Sequence, residues 1–459
     1  MTAESTHRRK LWPANQLKMH PVRIAFICGI VLLLASFSWW YISLPWEWSN
    51  IDDPGFVLSL ESETTRNGSL GYFTHIWYMV DVDVTWGLFR PSYWLYPSFV
   101  YWLPIGVAHL IRLGFLLLAI IGPVVAFRRR GADLPTLIVG VTLIIISGRY
   151  LFEGLFFVSI QELSGAAFVG VGLMVKSSGG RIAAWVIAAW FKSPFSWLLV
   201  AEAVALWTEG KRRQAVISGS LGVGTLAIAY FFARSGSYTS GYSLDYGAVW
   251  RAWNNIPRLL ELGTALTLVA LIWWLIITST RLRIDRMSAV LGFGWLGYTA
   301  HLLPWGVTGN YAAALNYLLA LFLFSLLTGN WQLPAVQRLL AVSLPLVLAT
   351  ISLAWISRDL YERNTTARGI TDCIVDIGTG EVSISSRFGP EAVVRIEQKL
   401  EIASREIDWA VESFDPGSGG RAGRTYVLTQ EELAASGFPL RAVCTLPRAS
   451  VGKMGSLSR

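Results

Sequence analysis

The stretch "AHLIRLGFLLLAIIGPVVAFRRR", Ala108–Arg130, reads as an apolar helix that runs into three consecutive arginines. The helix expected over 106–127 is long enough for the ~30 Å hydrocarbon core of a bilayer, and the arginine triplet belongs on its cytoplasmic side. Everything from about Pro45 to Leu103 then lies outside. The rest of the chain agrees with a membrane setting. Mean hydropathy is +0.48, and 53% of the 459 residues are apolar, with 22 tryptophans. This composition fits one polytopic membrane protein with a small appended domain, not a soluble one.

Working outward, Arg8, Arg9, Lys10, Lys18 and Arg23 precede an apolar run from Ile24 to Leu44. The run has no A-x-A cleavage site and is long enough to span, so it is expected to be a retained first helix with a cytoplasmic N-terminus. Further spans are expected over 106–127, 134–148, 162–175, 182–194, 195–208, 214–233, 259–279, 287–303, 311–327 and 339–356. The alternation puts Arg128–Arg130, Lys176 with Arg181, Lys211–Arg213, and Arg281, Arg283 and Arg286 on one side. About eleven crossings leave the C-terminal segment outside. Several of these stretches are too short to span unless they break, tilt or meet inside the protein; at "AWFKSPFSW", Pro194 ends the helix before it. The chain so divides into a membrane part, 1–357, with its first external loop over 45–105, and an external domain, 358–459. Acidic and basic residues nearly balance after position 358, so the net charge of +8 belongs to the membrane part. It is a topology signal, and no basic face with interleaved aromatics suggests nucleic acid.

The tail reads as a small α+β unit. "CIVDIGTGEVSIS" has a hairpin pattern with Gly378 and Gly380 in its turn, and Val393–Phe414 carries an amphipathic helical stripe. "DPGSGGRAGR" reads as a loop, while "TYVLT" and "RAVCTL" read as strands flanking a short helix. Cys28 lies in the first span; Cys373 and Cys444 bracket the tail and are either paired or free. The tail shows no metal-ligand spacing, nucleophile elbow or phosphate loop. "GSLGVG", Gly219–Gly224, lies inside a span and reads as a helix-packing surface. Sequons at Asn67 and Asn364 matter only in a source that glycosylates secreted protein.

The first external loop holds the richest chemistry. Its acids are Glu47, Asp52, Asp53, Glu61, Glu63, Asp81 and Asp83, against Arg66 and Arg90 alone. Aromatics crowd its second half, from Tyr72 to Trp102, which suits helices lying flat in the membrane interface. An enzyme joining a sugar to a hydroxyl needs a carboxylate that takes the hydroxyl proton, and cations on the leaving group. "NIDDPGF" offers the acids; "GLFRP" offers Arg90 and "FKSP" offers Lys192 as cations.

The acid pair soon after the first span, the long interfacial loop and the Gly-x-x-Arg-Pro element together resemble the GT-C superfamily. These are integral-membrane glycosyltransferases that use polyprenyl-phosphate sugars. The resemblance covers the whole chain in outline, with its motifs in "NIDDPGF" and "GLFRP" and further matches in "QELSGAAF" and "FKSP". It implies an all-α polytopic fold with a small external α+β domain, and an inverting transfer without a nucleotide. A divalent cation is optional, with the acidic loop as its natural site. One of Asp52 and Asp53 becomes the base, the other reading being a helix cap before Pro54. Arg90 grips a phosphate or pairs with Asp81 or Asp83; Lys192 grips a phosphate or snorkels at a helix end. Glu162 is a second acid or a helix-end stabiliser. His301 and Asn310, beside a Pro/Gly turn, contact substrate or join helices.

Two other functions fit an apolar chain. A secondary transporter or flippase predicts internal repeats and mid-membrane ionisable groups, of which Glu202 is the main candidate. A lipid-linked polysaccharide polymerase or ligase predicts its large loop late in the chain, whereas here it comes first.

Overall fold

The computed structural model describes residues 34–44, 53–148, 151–152, 154–156, 161–236, 246–259, 262–278, 284–304, 309–327, 335–378, 380–386, 390–404, 407, 409–414, 424–429, 431–433 and 440–454. Residues up to Ser43 form a unit of their own. Within it 34–42 are helical, and Phe37 stacks on Tyr41 with ring centroids 6.3 Å apart. The earlier part of the expected first span, 24–33, and Cys28 with it lie outside the described residues.

The second unit opens with three helices, α1 (Asp53–Asn67), α2 (Gly71–Trp86) and α3 (Pro91–Val100). Then follow α4 (Ile105–Arg129), α5 (Leu134–Ser147), α6 (Gln161–Met174), α7 (Ser178–Phe191), α8 (Ser196–Thr208), α9 (Arg212–Ser235) and α10 (Tyr246–Leu259). The series continues with α11 (Leu262–Thr278), α12 (Arg286–Leu302), α13 (Gly309–Leu326) and α14 (Ala335–Ile377). Each expected span after the first coincides with a helix, while α10 is an addition. Among the described residues three helices are long and apolar enough to cross a membrane: α4, α9 and the part of α14 from Leu339. The apolar helices α5, α11 and α13 are shorter; at 1.5 Å per residue the 14 residues of α5 reach only about 21 Å.

Caps and breakers explain the boundaries. Asp133 accepts from the Thr136 amide at 3.1 Å and starts α5. Asp285 does the same for α12 through Ser288 at 3.0 Å, and Ser177 for α7 through Gly180 at 3.2 Å. These side-chain oxygens satisfy amides that a first helical turn leaves unpaired. Pro194 acts as the sequence suggests: α7 ends at Phe191, Lys192 is extended, and a short turn over Ser193–Phe195 leads into α8. Helix α5 is buried from Thr136 to Ser147, as an all-apolar helix at the centre of a bundle must be. Gly122 on α4 faces the Gly170 backbone on α6, with no room for a side chain between them. Of the glycines in "GSLGVG", Gly219 and Gly222 pack on Ala203 and Leu199 of α8, whereas Gly224 faces open space.

Helix α14 runs 43 residues, about 65 Å, and carries the chain without a break from the bundle into the tail. The 357/358 division falls within it, where apolar side chains give way to the spaced pairs Arg358–Glu362 and Arg368–Asp372. Its last turns correct the expected hairpin. Ile370, Cys373 and Ile374 form a helical stripe that "CIVDI" disguises as alternation, and these residues enter the tail core. Gly378 and Gly380, at φ 64° and 68°, then turn the chain into β1 (Glu381–Ser385). The expected helix over Val393–Phe414 divides into α15 (Pro390–Ala403) and β2 (Ala410–Phe414), which pairs parallel with β1.

Strands β3 (Thr425–Thr429), β4 (Leu440–Thr445) and β5 (Ala449–Met454) complete one sheet in the order β2-β1-β3-β5-β4. "TYVLT" and "RAVCTL" are strands as expected, and "DPGSGGRAGR" up to Gly423 lies outside the described residues. Strand β5 is an addition, held by antiparallel pairing on both sides. Ile396 and Leu400 of α15 pack with Val382, Ile384, Val427 and Val451. Cys373 and Cys444 form a disulfide that joins α14 to β4. Helix α15 also packs against α1, so the tail rests on the loop module. Asn364 is buried and Asn67 is exposed, so only the latter sequon presents its side chain.

Candidate functional site

The helices bring chemically distinct groups to the two ends of the bundle. At one end a polar network collects helix termini. Glu202 of α8 accepts from Arg181 Nη2 at 2.7 Å and Nε at 3.1 Å, and from Arg286 Nη2 at 2.7 Å. Arg286 also reaches Glu209 at 2.6 Å, which Lys211 meets at 2.8 Å. That hydrogen bond from Lys211, with the Arg286 charge, holds the Glu209 carboxyl below its usual range. Arg130 pairs with Asp285 at the same end. Glu202, the candidate mid-membrane acid, is thus neutralised by two guanidiniums that tie α7 and α12 to α8.

The opposite end carries the loop module and most of the described candidate residues. Helix α1 begins at Asp53, followed by Pro54. Asp52 lies outside the described residues, as do the side chains of Asp53 and of Asn310 in the first turn of α13. The three loop helices are joined by His75, a fully buried group of α2. Its Nε2 lies 3.0 Å from Ser59 Oγ on α1, and its Nδ1 2.7 Å from Ser98 Oγ on α3. Burial lowers its pKa to about 4 against the opposing pull of Glu63, so the ring is neutral at pH 7.

Arg90 stands at the residue before α3, followed by Pro91 as its first helical residue. Its guanidinium forks onto buried Asp83, with Nε at 3.1 Å and Nη2 on the other oxygen, and lies over the Tyr93 ring at 4.5 Å. Trp94 Nε1 donates to the same carboxylate at 2.8 Å. Of the two readings of Arg90, the pairing with Asp83 is the one present here; it locks the α2–α3 corner.

Lys192 projects from the broken junction between α7 and α8 and pairs with Glu162, in the first turn of α6, at 2.8 Å. Both side chains are largely buried. His301, in the last turn of α12, lies close enough to feel the Lys192 charge. Lys192 and Glu162, separated widely in sequence, therefore meet, and the Lys192 charge reaches His301. Arg112, which the sequence reading passed over, lies near by on α4, fully buried. It donates to the Gly154 carbonyl at 2.7 Å, to Ser164 Oγ at 3.0 Å and to Tyr96 Oη at 3.3 Å. Tyr96 of α3 in turn meets Phe191, the residue before Lys192, edge to face at 5.9 Å. A signal for Arg112 was present in "AHLIRLG": a charged group in an apolar run marks a functional or structural site by default.

A desolvated ammonium paired with a carboxylate can bind an anionic group when the pairing opens. Among the described residues no three His, Cys, Asp or Glu side chains gather as metal ligands. Compared with known protein families, with characterised proteins and with solved structures, the chain matches none.

Proposed function

We propose that the chain is a multi-pass membrane glycosyltransferase, with about eleven crossings and a cytoplasmic N-terminus. It transfers a sugar from a polyprenyl-phosphate donor to an acceptor hydroxyl on the external face, using the residues at the loop end of the bundle. The observation that carries the reading is the buried pairing of Lys192 with Glu162 at that end, with His301 within range of the Lys192 charge. The loop module with its opening acid pair belongs to the same unit. The opposite end, rich in arginine, suits the cytoplasmic side. A disulfide in the tail suits an oxidising, external compartment.

In this mechanism the acceptor oxygen attacks the anomeric carbon as the carbon–oxygen bond to the phosphate breaks, inverting the centre. Asp53 or Asp52 takes the acceptor proton. The ammonium of Lys192 lies where the departing phosphate gathers charge, with Glu162 holding it in place. Arg90 meets that phosphate only by giving up Asp83, and otherwise acts by fixing the α2–α3 corner. The exposed aromatics Phe73 and Trp77 on α2, Phe99 on α3 and Trp102 just after it face the lipid that delivers the polyprenyl chain. No cation site is needed for these steps. A transporter reading has less support, because Glu202 is held by Arg181 and Arg286.

The test is sugar transfer by purified protein in nanodiscs, offered radiolabelled polyprenyl-phosphate sugars and membrane acceptors. We expect Asp53→Asn or Asp52→Asn to lower turnover by roughly 10²–10⁴-fold, as loss of a general base does. Lys192→Met should weaken turnover as well, while Glu162→Gln frees the ammonium and changes its pH profile. Transfer that ignores both Asp changes, or no transfer from any donor, would sink the proposal.

A further inference from the structure

Helix α10 has no counterpart among the expected spans, and its two faces differ sharply in chemistry. Val249, Trp250, Trp253 and Ile256 are 75%, 67%, 65% and 41% exposed. Spaced i, i+1, i+4 and i+7, they form one apolar arc. Arg251 and Asn255, four apart on the opposite side, hold the helix down. Arg251 Nε donates to the Pro304 carbonyl at 3.3 Å, and Asn255 Nδ2 to the Leu303 carbonyl at 2.9 Å. Those acceptors end α12, where a helix leaves its last carbonyls without internal partners. The bonds attach α10 to the loop end of the bundle, two residues beyond His301.

We propose that α10 lies flat in the lipid leaflet on the loop side, its apolar arc inserted at the boundary between headgroups and acyl chains. Three observations select lipid as the occupant. The arc contains two tryptophans, whose amphipathic indoles favour that depth. The helix carries Arg251 and Arg258 and no acid, a charge suited to anionic headgroups. Exposed apolar side chains also lie on α12, to which α10 is attached, at Phe293 and Leu296, and near the same end of α9 at Tyr230 and Phe231. The position beside His301 places this lipid contact at the edge of the candidate site.

The inference rests on the chain crossing a membrane, and the experiment separates the two claims. Single cysteines replace Val249, Trp253, Asn254 and Phe293 in a Cys28→Ser background and carry nitroxide labels. The protein is held in nanodiscs of phosphatidylethanolamine and phosphatidylglycerol. The ratio of oxygen to nickel-chelate collisions should be several-fold higher at positions 249, 253 and 293 than at 254. High nickel access at 249 and 253, with 293 still oxygen-rich, overturns the proposal and leaves the membrane reading intact. Nickel access at all positions overturns both. Dipolar broadening at 253 that grows with the labelled fraction assigns the arc to a second copy and overturns the lipid proposal. Elution as one peak in size exclusion checks that each variant is folded.

Discussion

His75 shows how one side chain organises a module. Its two nitrogens each meet a serine from a different helix; a protonated ring would be a donor at both, and burial disfavours that charged form. Its pKa of about 4 in the folded protein lies below the value near 6.5 of an unfolded chain. The unfolded state therefore binds the proton more readily. The stability that His75 contributes is fully present above pH 6.5 and is lost as pH falls towards 4, by up to about 3 kcal/mol. Denaturation of the wild type at pH 7 and pH 4.5 should show this loss, and His75→Gln should flatten it; equal slopes in both would refute the assignment. Composition announced none of this, because a histidine between "FT" and "IW" looks like any other interfacial residue. Arg90 was more readable. Its spacing from Asp83 allowed a salt bridge beforehand, but only the folded corner distinguishes Asp83, which is buried, from Asp81 two residues away. Lys192, Glu162 and His301 each stood out as polar groups at apolar boundaries. The pairing of Lys192 with Glu162 belongs to tertiary structure and has no local signal.

At the scale of elements, hydropathy located the bundle helices well because an apolar run has few other ways to satisfy its backbone. The misreadings occur where tertiary pairing overrides local pattern. Residues 370–377 continue a helix because Ile370, Cys373 and Ile374 share a core with the sheet. Ala410–Phe414 is a strand because β1 lies beside it, although five residues cannot declare that period alone. The glycines separate in the same way. On α4, Gly106 and Gly114 face open space, whereas a methyl on Gly122 would overlap the Gly170 carbonyl. Gly122→Ala should therefore destabilise the protein by about 1–3 kcal/mol, as overpacking does. Gly114→Ala, with the same chemistry on the same helix, should be neutral or gain up to about 1 kcal/mol of helix propensity. Thermal denaturation in one detergent compares them directly. A loss at Gly114 equal to that at Gly122 would mean that α4 and α6 do not meet at these glycines.

For the whole molecule, the question is what holds the tail against the loop module. Helix α14 leads without a break into the tail, the Cys373–Cys444 bond closes it across 71 residues, and α15 then packs on α1. Arg448 strengthens the join by bonding Asp359 at 2.5 Å and Glu362 at 3.3 Å, both on α14. A cross-link of that span restrains the unfolded tail by about 4 kcal/mol in the chain-entropy account. Neither the pairing nor the packing was legible beforehand, since spacing left the cysteines open and nothing in "EAVVRIEQKL" names α1 as its neighbour. Removing the bond with Cys373→Ala and Cys444→Ala should raise amide exchange throughout β1 to β5. If α15 supports α1 as packed here, exchange in α1 should rise with it, while buried α5 stays protected. Helix α1 opens at Asp53, so the same variant should also lower sugar transfer without touching Lys192. Faster exchange in the sheet with α1 unchanged would show that the loop module is held by α2 and α3 alone, through Ser59, His75 and Ser98. The tail would then be a neighbour of the acid pair and not its support.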